Sequence, residues 1–319
     1  MIVVTGGLGF IGQNLVNELQ RRGHIGVVVL DTKTESLDSI YDWLMLHAKE
    51  IDVIFHLGAI TDTTVMDRNL FDEYNVVSSM FIWNICTNYR IPLIYASSAA
   101  TYGDGEEGFD DERDILNLRP LNPYGWSKQQ FDVWAETQET EPPNWYGLKF
   151  FNVYGYGEAD KGKMASVVYQ KYCEIKANDE EFERKANEDG ACCGYQFVEL
   201  FKSHNSKYMD GEQARDFIYV DDIVDVCIWL WQNKPISGIY NVGTGKARTF
   251  NDLIKAVFKS LETEQTIKYI DIPPKIRDKY QYFTEAKMNK LRKAGYSKPF
   301  HELEVGVEKY INKLKYENC

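Results

Sequence analysis

Tyr124 and Lys128 stand four residues apart in Asn122-Pro123-Tyr124-Gly125-Trp126-Ser127-Lys128, where Pro123 suits the first turn of a helix. On a helix that spacing stacks a phenol and an ammonium on one face. The cation favours phenolate, drawing a pKa of about 10 toward neutrality and making the phenol a usable acid/base. The same spacing also occurs in ordinary helix-surface pairs, so its meaning comes from what precedes it. Ser97-Ser98 closes the apolar run Ile91-Pro92-Leu93-Ile94-Tyr95-Ala96. Gly7-Leu8-Gly9-Phe10-Ile11-Gly12 fits the fingerprint in which glycines let a backbone approach a dinucleotide pyrophosphate at a helix N-terminus. Together these point to hydride transfer, with Tyr124 as the acid/base.

The elements that must position these residues follow from periodicity. Ile2-Val3-Val4 is a buried strand, and Ile11, Leu15 and Leu19 continue a helical stripe that Gly23 ends. Val27-Val28-Val29-Leu30 is a second strand, and Asp31 at its end suits a ribose hydroxyl. One amphipathic helix fits between Thr32 and Glu50, before the strand Val53 to Leu57. A doubly wound fold has another strand and helix in that interval, so the outer edge strand of the first half is expected to be missing and the adenine pocket more open. Leu57-Gly58-Ala59 leaves its strand with small residues, at a tight turn or beside a cofactor, and Asn75 opens the next helical region.

In the second half, Trp145 to Tyr154 reads as a strand that Asn152-Val153-Tyr154-Gly155 leaves at the ligand edge. Glu158-Ala159-Asp160-Lys161-Gly162-Lys163 is a polar loop whose spacing alone says only that it is solvated. The stretch from about Lys176 to Gly194, with Cys192-Cys193, is a charged surface insertion with no assigned chemistry. Arg215 to Val220 returns to strand alternation, with Asp221 or Asp222 placed to cap a helix from Ile223 to Trp231. Ile239 to Gly245 is a buried strand expected to rejoin the first sheet. A helix Leu253 to Leu261, a strand Ile267 to Ile270, the loop Arg277 to Gln281 and a helix Glu302 to Leu314 complete the chain. The expected fold is α/β, a doubly wound parallel Rossmann sheet shortened in its first half, with a smaller interleaved α/β substrate domain. Residues 1–155 plus about 216–245 form the dinucleotide domain, and about 156–215 plus 246–319 the substrate domain.

Composition narrows the partners. A net charge of -12 on 319 residues argues against nucleic acid and anionic membrane surfaces, both of which want a basic face. An anionic ligand must then meet a local basic cluster. Cys86, Cys173, Cys192, Cys193, Cys227 and Cys319 show no CxxC spacing, so no metal site is expected and the thiols read as reduced. Met1 leads into a core strand without a signal-like segment, and no apolar run approaches the roughly 20 residues of a span, so a soluble, cytoplasmic protein is expected.

With these residues in view, the chain resembles the extended short-chain dehydrogenase/reductase family, in its sugar-nucleotide epimerase branch. The glycine fingerprint, Ser98 and Tyr124-x-x-x-Lys128 carry the likeness in the first half. Ala96 to Gly103, Phe151 to Gly155, Lys161-Gly162-Lys163-Met164-Ala165-Ser166-Val167, Arg215 to Val220 and Lys279 to Thr284 extend it over nearly the whole chain. The resemblance implies that the substrate is an ADP-heptose, a precursor of bacterial surface glycans, inverted at C6 by oxidation and re-reduction on bound NADP. It implies two acid/base groups, Tyr124 and Lys161, with Lys128 on the nicotinamide ribose and Ser98 on the reacting oxygen. Cofactor contacts carry over to Gly7, Gly9, Phe10, Ile11, Gly12, Asp31, Thr32, Leu57, Gly58, Ala59, Ile60, Thr61, Asn75, Lys128, Val153 and Lys161. Substrate contacts carry over to Ser98, Asn152, Lys163, Gln170, Phe201, Arg215 and Tyr280, with Arg215 and Tyr280 near the ADP. The resemblance also implies a symmetric homo-oligomer, with a pentamer as the form it suggests.

Departures stand beside these matches. Lys163 replaces a more usual Ser and Gln170 a more usual His, and the segment missing after Thr32 removes positions that touch adenine and the 2′-phosphate. Asp31 alone favours NAD, because it repels a 2′-phosphate unless Lys33 or a neighbour compensates. Two other readings remain: another sugar-nucleotide epimerase or dehydratase, such as a UDP-hexose 4-epimerase, and a cofactor-sensing module that has lost the chemistry. Such a module has no reason to keep Ser98, Tyr124, Lys128 and Lys161 together.

Overall fold

The computed structural model describes residues 1–189, 197–263, 266–277 and 280–317. Up to Phe150 the chain alternates strands β1 (Ile2–Thr5), β2 (Val27–Leu30), β3 (Val53–His56), β4 (Leu93–Ser98) and β5 (Trp145–Phe150) with helices. These helices are α1 (Phe10–Arg21), α2 (Leu37–His47), α3 (Arg68–Phe71), α4 (Ser78–Tyr89) and α5 (Pro123–Glu136). Next come β6 (Asn152–Tyr154), α6 (Val167–Asp189), β7 (Phe197–Phe201), β8 (Ala214–Tyr219) and α7 (Val220–Asn233). The rest is β9 (Gly238–Val242), β10 (Ala247–Thr249), α8 (Phe250–Leu261), β11 (Thr266–Ile270), α9 (Pro274–Arg277), α10 (Asn289–Lys293) and α11 (Leu303–Glu317). None of the described helices is long and apolar enough to cross a membrane.

Two compact units divide these elements. The first holds Met1–Phe151, Val220–Gly245 and Ala286–Pro299. Its sheet runs β2-β1-β3-β4-β5-β9, parallel throughout. Apolar strands buried on both faces require helices on both. Leu44 of α2, Trp83 of α4 and Phe131 of α5 share a core with Val3, Ile54, Leu93 and Tyr95, while α1 packs with α7. As the short interval before Val53 leads one to expect, β2 ends the sheet and no described strand lies beyond it.

The second unit holds Asn152–Tyr219, Lys246–Glu285 and Phe300–Cys319. It has a three-stranded sheet β10-β8-β6 and a parallel pair β11-β7, with α8 packed on α6 and α11. The expected division differs in three places: 152–155 and 216–219 go with the second unit, and 286–299 return to the first.

Four local readings change. Trp145 to Tyr154 is two strands, because at Phe151 the chain leaves the register of β5 and Asn152 begins to pair with Phe217 of β8. α7 begins at Val220, straight after β8, so Asp221 and Asp222 lie in its first turn, where carboxylates complement the helix dipole, rather than capping a helix from Ile223. Strands β7 and β10 were not expected. The charged segment after Lys176 continues α6 as far as Asp189, while Cys192 and Cys193 lie outside the described residues, as does Lys279.

Candidate active site

In the first unit the chain leaves β1 through two glycines and enters α1 at Gly9, which supplies no side-chain cap. A Cβ on Gly7 would stand 2.6 Å from Val29 Cγ1, and one on Gly12 only 2.1 Å from Gly6 O. Neither position admits a side chain, and the helix start is bare. First-turn N–H groups have no intrahelical acceptor, which is the arrangement a pyrophosphate uses. The residues present therefore fit a dinucleotide.

Asp31 is buried at the end of β2, and both its oxygens are engaged. Oδ2 accepts the Leu8 N–H at 2.9 Å and Oδ1 the Lys33 N–H at 2.9 Å, while Lys33 Nζ donates to Leu8 O at 3.2 Å. The carboxylate thus ties the glycine turn to the strand. Asn75 is similarly committed. It lies buried in a wide π turn, Asp72–Val77; Oδ1 accepts the Ile60 N–H at 2.8 Å, and Nδ2 donates to Ile60 O and Ser127 Oγ, both at 2.9 Å. Asn75 therefore braces the segment after β3, which holds Leu57 to Thr61, onto α5.

α5 starts as expected: Asn122 Oδ1 accepts the Gly125 N–H at 2.8 Å and Pro123 fills the first turn. Lys128, one turn after Tyr124, is buried and donates from Nζ to Ala96 O of β4 at 2.9 Å. Burial pulls its pKa down to about 8, against the opposing charge of Asp132. Tyr124 does not follow the expected direction. Desolvation pushes its phenol up, the Ser98 hydroxyl works the other way, and the Asp132 charge adds to the rise. The ammonium that was to lower it is engaged with a carbonyl. Ser98 itself is held in a turn: its Oγ accepts the Ala100 N–H at 3.1 Å, and Thr101 Oγ1 donates to its carbonyl at 2.8 Å.

Three buried polar residues of this unit were not identified from sequence. His56 bridges Thr5 Oγ1 at 2.7 Å and Ser79 Oγ at 2.9 Å, and burial, with the nearby Lys128 charge, lowers its pKa to about 3. Asp132 and Lys149 form an ion pair at 2.6 Å, with side chains 0% and 2% exposed. A lysine inside the apolar run Trp145 to Phe150 was the signal for the last of these.

In the second unit, β8 carries Arg215 into the interior, where Nη1 donates to Ala214 O at 2.9 Å and Nη2 to Gln281 O. Its guanidinium lies 5.3 Å from the Tyr280 ring, which meets Phe201 edge-on at 6.1 Å. Burial lowers the Arg215 pKa, and no described carboxylate pairs with it. A buried cation in this state is suited to an incoming anion. The segment 155–166 is organised by Glu158, 0% exposed, which accepts the Ser166 N–H at 2.6 Å, Ser166 Oγ–H at 2.5 Å and the Gly155 N–H at 3.4 Å. Lys161 lies inside this clasp, its pKa lowered by burial while the Glu158 charge resists. Lys163 and Gln170 are exposed, and Gln170 Nε2 turns back to Lys163 O at 3.2 Å and Ala165 O at 2.8 Å. Val153 pairs with Ile218, and exposed Asn152 accepts from Thr284 at 3.4 Å. Each unit thus gathers its own candidates: Ser98, Tyr124 and Lys128 around the ends of β4 and α5, and Phe201, Arg215 and Tyr280 in one aromatic and cationic cluster.

The model of the NAD dependent epimerase/dehydratase family matches residues 2–243. An ADP-L-glycero-D-manno-heptose-6-epimerase of Fusobacterium nucleatum is 41% identical, covering 98% of this chain and 97% of its own. One from Nitratidesulfovibrio vulgaris is 43% identical with the same coverage. Among solved structures, the Helicobacter pylori protein of that name superposes with a TM-score of 0.76 at 27% identity, over 98% of this chain and 96% of its own.

Proposed function

The chain belongs to the NAD dependent epimerase/dehydratase family, and from that premise we propose that it is an isomerase inverting C6 of ADP-D-glycero-D-manno-heptose to give the L-glycero epimer. The observation that carries this reading is where the kinship lies. Relatives named for that reaction match at 41% and 43% over 98% of the chain, so the likeness takes in the second unit with Arg215 and Tyr280 as well as the dinucleotide unit. A match confined to the glycine turn and Tyr124-x-x-x-Lys128 would name no reacting carbon.

A nicotinamide dinucleotide, when bound, supplies a reversible hydride acceptor for C6. Gly7, Gly9, Phe10, Ile11 and Gly12 would hold its pyrophosphate, Asp31 and Thr32 its adenosine side, and Leu57 to Thr61, Val153, Lys128 and Lys161 the remainder, with Asn75 acting through the segment it braces. Tyr124 moves the proton of the C6 oxygen for one orientation of the heptose and Lys161 for the other, while Ser98 hydrogen-bonds that oxygen. Burial favours the neutral amine of Lys161, as a proton acceptor requires. Arg215 binds the diphosphate and Tyr280, with Phe201, the nucleoside, while Asn152, Lys163 and Gln170 line the sugar.

The cofactor in this proposal is NADP. Asp31 has spent its carboxylate on two backbone N–H groups, and Lys33 brings an ammonium to the same turn. Homo-oligomeric assembly in the cytoplasm belongs to the same reading, and light scattering of the purified chain reports the assembly. The deciding experiment incubates the protein with ADP-D-glycero-D-manno-heptose without added nicotinamide and resolves the two C6 epimers. Conversion is expected, with NADP released on denaturation. Conversion of a UDP-hexose instead would move the assignment to a 4-epimerase, and release of NAD alone would overturn the cofactor choice.

A further inference from the structure

Lys149 and Asp132 lie beneath the candidate proton-transfer groups, fully enclosed, and their bonds run to both elements that carry those groups. Lys149 faces Ser97 in the pairing of β4 with β5. Its Nζ donates to Asp132 Oδ2 at 2.6 Å and to Thr101 Oγ1 at 2.7 Å, and Thr101 in turn donates to the Ser98 carbonyl at 2.8 Å. Asp132 also accepts from Ser97 Oγ at 2.6 Å and Tyr95 Oη at 3.1 Å. On α5 it stands one turn beyond Lys128 and two beyond Tyr124, on the same face. A buried ion pair is seldom a better source of stability than apolar residues of equal volume. Its retention here calls for something geometry or charge must do.

We propose that Asp132 and Lys149 are positioning residues for proton transfer: the pair locks the Ser98 turn against α5 and fixes the charge beneath Tyr124 and Lys128. The proposal rests on reading Tyr124, Ser98 and Lys128 as the reacting set. Asp132 is the charge that props up the Lys128 ammonium against desolvation, and it also raises the Tyr124 phenol. Lys149 limits that field by neutralising Asp132. The other titratable groups around the column are His56 on β3, Tyr95 on β4, Tyr102 in the turn after it, and Glu136 at the end of α5. His56 is held neutral, and the three phenol and carboxyl groups remain when the pair is altered.

The test compares Lys149→Arg, Lys149→Met and the neutral double variant Asp132→Asn/Lys149→Met. Readouts are kcat and KM for the sugar nucleotide and, in the protein without substrate, the pH dependence of Lys128 labelling by an amine reagent followed by mass spectrometry. Lys149→Arg is expected to stay within threefold of the parent. Lys149→Met is expected to lose at least tenfold in kcat with KM within twofold, and to move Lys128 labelling to higher pH because Asp132 is left unopposed. The double variant is expected to move labelling to lower pH, and it carries the test alone if Lys149→Met does not fold. Unmoved labelling in the folded variants overturns the proposal whatever the activity does. Labelling that moves as expected while Tyr124→Phe keeps full turnover sustains the electrostatic coupling and sinks the reading of the reacting set instead.

Discussion

Tyr124 carries the heaviest chemical demand of any single residue here, and its surroundings make that demand harder to meet than spacing suggests. The pair with Lys128 is legible in sequence because four residues always make one helical turn. The direction of the phenol's shift is not legible, because it depends on how completely the side chain is withdrawn from water, and desolvation outweighs the Ser98 hydroxyl that works against it. Tyr124→Phe removes the proton carrier while keeping the ring that packs near Phe71 at 6.4 Å, so turnover should fall by about 100-fold or more. Calorimetric titration with the dinucleotide should meanwhile give a dissociation constant within a few-fold of the parent. Parental turnover would show that the tyrosine does not carry the proton. Asp132 escaped notice because an acid eight residues after a tyrosine carries no signal until the helix is seen to bury that whole face.

Among the elements, the short turn between β1 and α1 has the least tolerance. A methyl group at position 12 would meet the Gly6 carbonyl at 2.1 Å, and that contact is with backbone, which cannot step aside as a flexible side chain would. Gly12→Ala should therefore push α1 away from β1, cost about 1–3 kcal/mol of stability, and weaken dinucleotide affinity by at least about tenfold. A melting curve and a binding titration on the same sample check both effects. The strand, the glycine turn and the helix were readable because three independent patterns agreed. The split of Trp145 to Tyr154 at Phe151 was not, since a continuous apolar run looks the same whether its strand stays in one sheet or passes to another. The π turn that directs Asn75 inward has no sequence signature of comparable strength.

For the molecule as a whole, the missing edge strand was countable from residue numbers alone, because the interval from Leu30 to Val53 is too short for two crossovers. Burial of ionisable groups was not countable, and it sets the response to acid. The folded state keeps His56 neutral down to about pH 3, whereas the unfolded chain takes up the proton near pH 6.5. Between those values the unfolded state binds more protons, so stability falls as pH falls, by up to about 1.4 kcal/mol per unit. His56→Asn should lower the melting temperature at neutral pH by breaking the bridge from Thr5 to Ser79, and should flatten the acid slope below pH 6.5. A melting series across pH reads both, and an unchanged slope would assign the acid response to other groups.

The Glu158 clasp bears on how such a chain changes over time. Because the carboxylate gathers the Gly155 amide and both donors of Ser166, the outline of that loop is written by its two ends and its buried middle, with Gln170 tying its amide to the Lys163 and Ala165 carbonyls and the exposed Lys163 side chain adding little. A scaffold built this way gives inheritance some slack: the exposed side chain at Lys163 can be exchanged while Lys161, inside the clasp, keeps its station.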